Sequence, residues 1–157
     1  MAIRNIVKEG DPILNKVCRK VEKFDEKLFT LLNDMAETLK MADGVGLAAP
    51  QVGMLKRVVI VDVGDGLIEL INPEIIEQSG EQREVEGCLS CPNKWGITVR
   101  PMKVKVKAYD RYGKEFTVEG VGLKAKAFCH EIDHLNGILF TSKIIKKLRE
   151  SDLKKVR

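Results

Sequence analysis

The sequence predicts an α+β fold: a mostly antiparallel sheet packed around a central helix, with a further helix near each end. Three observations predict it. Residues 24–41 keep an apolar stripe at helical spacing. The middle of the chain is cut into short runs, several of them β-branched or strictly alternating. From residue 123 to 136 the spacing turns helical again. Helix first, strands in the middle and helices last give segregated helices and strands rather than a repeating β-α alternation.

The elements follow in chain order. Leu28, Leu31, Leu32, Met35 and Leu39 form the stripe of the first helix, and Asp25 is placed to cap it. The next stretch, "ADGVGLAAPQVGM" (42–54), is broken by glycines and Pro50 and reads as a loop of small residues. "RVVIVDV" (57–63) reads as a strand. "LIELINPEII" (67–76) adds more strand, with Pro73 marking an edge or a bend. "KVKVKAYD" (103–110) puts Val104, Val106 and Ala108 on one face and lysines on the other. "DRYG" then turns the chain into "KEFTVEG" (114–120), which makes a hairpin. Gly137 is a good stop for the helix over 123–136. Residues 143–157 are expected to form a last, basic helix.

The chain has 157 residues, the size of a single domain spanning 1–157. The start, "MAIRNIVKEGDPIL", carries charges throughout and lacks the apolar run of an export signal. No stretch approaches the ~20 apolar residues of a membrane span. Four cysteines without an export signal suit reduced thiols, and the expected location is the cytoplasm. The net charge of +4 is unevenly spread. Residues 143–157 hold seven basic and two acidic side chains, a balance of +5, so the rest of the chain balances at −1.

The chemistry concentrates in "CHEIDHLNG" (129–137), which holds both histidines of the chain. On a helix, His130 and His134 share one face and can hold one metal ion. Glu131 can reach a metal-bound water and take its proton. Chance gives two histidines at this spacing, with a glutamate after the first, in roughly one such chain in a thousand, so an ordinary helix is the weaker reading. A metal needs at least a third protein ligand. No third histidine exists; Phe140 stands where an extended metalloprotease pattern would have one, and Glu150 lies in the charged tail. Cys129 points about 100° away around the helix and is expected to pack, as is Cys18. Cys88 and Cys91 remain. Both together would make a closed Cys₂His₂ zinc module of the kind that binds nucleic acid, although the gap between the pairs is far longer than in zinc fingers and Glu131 would be idle. One alone would leave the open position that a catalytic metal keeps.

"GVGLAAPQ" (44–51), "EGCLS" (86–90) and "HEIDHLNG" (130–137), in this order and spacing, together resemble the peptide deformylase family, and the likeness extends over nearly the whole chain. The resemblance implies removal of the N-formyl group from the formylmethionine of nascent polypeptides, with release of formate. It selects Cys88 as the third ligand beside His130 and His134. It makes Glu131 the general base and acid for a metal-activated water, and gives Gln51 and the backbone N–H of Leu89 the developing oxyanion. It implies Fe²⁺, which zinc, nickel or cobalt can replace; one thiolate and two imidazoles alone suit iron or zinc. The motif residues Gly44, Val45, Gly46, Glu86 and Gly87 are expected to contact substrate. Leu123 and Ala127, on the histidine face of the helix, are expected to form an apolar wall beside the metal. Two positions depart from the family pattern: Cys129 replaces a usual glutamine, and Cys91 a usual aliphatic residue. The resemblance also points to ribosome contact through the basic C-terminal helix, electrostatic and without sequence-specific nucleic-acid reading.

Overall fold

Asp25 caps the first helix as expected, its carboxylate accepting the Leu28 N–H at 3.3 Å. Helix α1 runs Glu26–Ala42 and buries the predicted stripe of Leu28, Leu31, Leu32, Met35 and Leu39. The structure is a computed structural model describing residues 2–156, apart from the side chains of 154–156. The strands that follow are β1 (Gly46–Ala48), β2 (Val58–Val61), β3 (Ile68–Ser79), β4 (Gln82–Cys88), β5 (Cys91–Arg100), β6 (Lys103–Tyr109) and β7 (Glu115–Val121). Helix α2 (Leu123–Leu135), strand β8 (Ile144–Leu148) and helix α3 (Glu150–Val156) complete the chain.

Among the described residues the strands form two sheets. Five strands lie in the order β1-β2-β3-β6-β7 and three in the order β4-β5-β8, and every neighbouring pair is antiparallel. The larger sheet lies between the two long helices. Val59 and Val61 of β2 join the apolar cluster with Phe128, Ile132 and Leu135 of α2. Val58 and Ile60 face the other way, into the cluster with Leu31, Leu32 and Met35 of α1. Burial on both faces is why this strand reads as an unbroken apolar run. Pro73 sits inside β3, where the pairing with β6 shifts between Ile71 and Glu74. The neighbouring Asn72 has φ 52° and clamps Val21, its side chain accepting that residue's N–H at 2.8 Å and donating to its carbonyl at 2.9 Å. Pro73 therefore marks a bulge in a central strand, a bend and not an edge.

Two expectations change. The loop of small residues contains a short strand, β1, before a 3₁₀ turn over Ala49–Val52. The basic tail is not one helix from residue 143. Residues Ile144–Leu148 pair with β5, Trp95 opposite Leu148 and Thr98 opposite Ile144, and only Glu150–Val156 is helical. The free edge of β5 offers backbone hydrogen bonds that a lone helix would forgo, and β-branched Ile144 and Ile145 suit a strand. The side chains of Lys154, Lys155 and Val156, and Arg157, lie outside the described residues.

Candidate metal centre

Helix α2 divides its surface between packing and chemistry. Ala125, Phe128, Cys129, Ile132 and Leu135 bury themselves against the large sheet. Cys129 and Cys18 both belong to that cluster, which bears out their reading as packing residues. His130 and His134 reach the small sheet at Glu86 and at Cys88, which ends β4, while Glu131 stands against Gly46 of β1. Candidate ligand atoms of Cys88, His130 and His134 lie within 4.8 Å of one another. Cys88 Sγ is 3.3 Å from His134 Nε2. Cys91 is not in this group, so the closed four-donor site does not form among the described residues. Glu150, at the start of α3, is also outside it.

The geometry fits a divalent ion on independent grounds. His130 Nδ1 lies 2.6 Å from Glu86 Oε2, which fixes the ring and leaves its other nitrogen for a ligand. Burial and neighbouring His130 push His134 down to about 3, so it is neutral and ready to donate a lone pair. Its Nδ1 and Glu131 Oε1 are buried without a hydrogen-bond partner among the described residues. The Cys88 thiol is held well above its ordinary range by its hydrogen bond with Cys91, by burial and by the Glu131 charge. A bound cation is what would turn that thiol into a thiolate.

Glu131 is 4% exposed, and burial pushes its carboxyl up to about 7. Its space is made by the opposing chain: a Cβ on Gly46 would stand 2.6 Å from Glu131 Oε2. This close approach is why β1 begins with glycine. Gln51 comes from the 3₁₀ turn after β1. Its Oε1 accepts the Ala48 N–H at 2.9 Å, so Nε2 turns toward the site, 3.1 Å from Ser90 Oγ and 3.6 Å from Cys88 Sγ.

A cavity of about 520 Å³ opens onto these groups. All the residues expected around substrate line it, Gly44, Val45, Gly46, Glu86 and Gly87 from the motifs and Leu123 and Ala127 from the helix, and so does Leu89, the expected oxyanion donor. Gln51, Cys88, His130 and Glu131 line it too, while His134 lies deeper and is 1% exposed. Glu86 borders the cavity, but its carboxylate is committed elsewhere. Besides His130 it accepts from the Thr98 hydroxyl at 2.8 Å and from Arg100 at 3.0 and 2.6 Å. Burial alone would raise its pKa, yet the bonds from His130 and Arg100 prevail and hold it well below the usual carboxylate range. Arg100 also reaches Asp133 at 2.7 Å, and Asp133 meets Lys143 at 3.0 Å.

This buried chain of charges was not read from the sequence. Its signal was the hairpin. Thr98 and Arg100 are two apart on β5, and Glu86 is two beyond the residue opposite Thr98, so period two puts all three on one face. Gly87, Pro92 and Gly96 and the buried polar residues hide the alternation that would have revealed those strands.

The fold and site define a metal-dependent hydrolase of the H-E-x-x-H kind, built on antiparallel sheets. Known proteins narrow the class. The profile of the family described as Polypeptide deformylase matches residues 3–150. A peptide deformylase of Acetivibrio thermocellus is 59% identical over 157 residues, which is 100% of this chain and 92% of that protein. One from Caldicellulosiruptor bescii is 55% identical over the same length, 95% of that protein. The crystal structure of a peptide deformylase from Legionella pneumophila matches with a TM-score of 0.88 at 45% identity, covering 99% of this chain and 92% of that one. That from Thermotoga maritima matches at 0.90 and 42% identity, covering 92% and 99%. The chain belongs to the peptide deformylase family, enzymes that remove the N-formyl group from nascent polypeptides. Membership implies a catalytic metal ion. No helix among the described residues is long and apolar enough to cross a membrane.

Proposed function

We propose that deformylation in this chain uses one Fe²⁺ ion on Cys88, His130 and His134, replaceable by zinc, nickel or cobalt. When bound, such an ion supplies Lewis acidity and makes water a competent nucleophile near neutral pH. Glu131 takes the proton of the attacking water and returns it to the leaving amine. A carboxyl near 7 can both accept and give that proton at neutral pH. Gln51 Nε2 and the Leu89 N–H donate to the formyl oxygen as it gains charge, a stabilisation on the order of 3 kcal/mol per donor. Val45, Leu89, Leu123 and Ala127 offer the methionine side chain its apolar contacts, and Gly44, Gly46 and Gly87 let the substrate backbone approach closely. Formate and a free N-terminal methionine result.

The observation that supports this reading is the cluster of Cys88, His130 and His134, with one cavity opening onto Cys88, His130, Glu131 and Gln51. Protein purified anaerobically, with its metal measured, tests it by formate release from a formyl-Met peptide. Glu131→Gln should keep the metal and lose roughly 10²–10⁴ of kcat/KM. A kcat/KM equal to that of the wild type would end the assignment of Glu131.

The same reading assigns the protein to the cytoplasm and its substrate to the ribosome. Lys146 and Lys147 are exposed on β8, and the basic C-terminal segment would meet RNA phosphates by charge, with no base-specific contact. The contact surface is then a strand edge continued by a short helix.

A further inference from the structure

We propose that Cys88 and Cys91 form a reversible oxidation site, in which a peroxide oxidises Cys88 and Cys91 closes on it as a disulfide. The sequence spells Cys88-Leu89-Ser90-Cys91, and the fold makes these cysteines the closing pair of the β4–β5 hairpin, directly opposite one another across the turn. Directly opposed residues of antiparallel strands project to the same face, with Cα atoms roughly 4.5–5.5 Å apart, inside the range of about 4.4–6.8 Å that a disulfide spans. Both cysteines are free.

Access is selective. Cys88 is half-buried and borders the cavity, so a small peroxide can enter where substrate does. Cys91 borders the same cavity but is 1% exposed, with the Glu9–Lys94 ion pair beside it. Cys18 and Cys129 sit within the apolar cluster between α2 and the large sheet, away from this route.

The chemistry balances in two steps. The Cys88 thiol and hydrogen peroxide give Cys88 sulfenic acid and one water. The Cys91 thiol then displaces hydroxide from that sulfur, which leaves with the thiol proton as a second water and forms the S–S bond. Two electrons pass from the two sulfurs to the peroxide. A dithiol reverses the sequence. Without Cys91 the sulfenic acid meets a second peroxide and advances to sulfinic acid, which a dithiol does not restore. Cys91 thus guards the one sulfur whose loss would be permanent. The consequence for metal rests on the assignment of Cys88 as a ligand, because a disulfide sulfur cannot serve as a thiolate donor.

Metal-loaded enzyme treated with a small excess of hydrogen peroxide tests this by intact mass, peptide mapping and metal content, before and after dithiothreitol and added metal. The wild type should lose two hydrogens in mass, yield a Cys88–Cys91 linked peptide, release its metal and recover most of its own starting activity. Cys91→Val and Cys91→Ser should each gain two oxygens at Cys88 and recover on the order of tenfold less of theirs. Cys129→Ala should recover as the wild type does. Absence of the linked peptide, or equal recovery by the Cys91 variants, would overturn the proposal. A linked peptide with metal retained would support the oxidation site and instead sink Cys88 as a ligand.

Discussion

The two sheets of this protein are held together by different physics. The five-stranded sheet is clamped between α1 and α2, and its interior is aliphatic: Val58, Val59, Ile60 and Val61 of β2, Leu70 and Ile71 of β3, Val104 and Val106 of β6. The three-stranded sheet contributes no fully buried residue to either apolar cluster. What it buries is largely polar: Gln82, Glu86, Thr98 and Arg100, joined to α2 through His130 and Asp133. The large sheet is a scaffold that gains by excluding water. The small sheet carries Cys88 to the histidines, and it is fixed by directional bonds that also orient a candidate ligand. Precision at the site is bought with buried charge, which contributes little net stability but defines one geometry.

The largest effect should fall on Cys88, at the tip of the small sheet. Cys88→Ala should lose bound metal and all measurable activity, while Cys91→Ala should keep its metal, read by metal content and formate release. Equal metal loss in both would return the two cysteines to a shared site.

The contrast between sheets sharpens with a matched pair of variants. Arg100→Met leaves Glu86 and Asp133 as buried or half-buried carboxylates without their guanidinium, and should cost about 3–5 kcal/mol. Leu70→Ala opens a hole in the large sheet and should cost about 2–5 kcal/mol. Denaturant unfolding would show similar losses of stability. Metal affinity separates them: it should fall in Arg100→Met, through Glu86 and His130, and hold in folded Leu70→Ala. If both variants keep metal equally, the polar network is support for the fold alone.

Acid should act on the small sheet first. The metal-free Cys88 thiol is held protonated above its ordinary range, whereas His134 is neutral throughout the neutral range. Metal uptake must therefore expel at least the Cys88 proton. Affinity should rise with pH by about tenfold per unit for each proton released, and metal should leave as pH falls. A pH-independent affinity would mean that the thiol is not a ligand. The smallest effect belongs to the tail. Reversing Lys146, Lys147 and Lys154 to glutamate should leave turnover on a short formyl-Met peptide intact and reduce co-sedimentation with ribosomes at low salt. Unchanged co-sedimentation would make the tail a solvated edge only.

The sequence by itself determined the scaffold and the reactive groups. The stripe of α1, the Asp25 cap, the β2 run, the alternation of β6 and the spacing of His130, Glu131 and His134 are all local patterns, in which neighbours along the chain are neighbours in space. Tertiary structure decided the rest. Residue chemistry alone leaves Cys88 and Cys91 both open as donors, and only the family likeness prefers Cys88; the β4–β5 hairpin brings Cys88 Sγ to 3.3 Å from His134 Nε2, with Cys91 opposite it across the turn. Nothing local joins Glu86 to Arg100, or makes residues Ile144–Leu148 a strand. Those outcomes come from the free edge of β5 and from burial that forbids an unpaired charge. Local patterns record which face of an element is apolar, whereas the partner of a buried polar group is fixed only when distant strands meet.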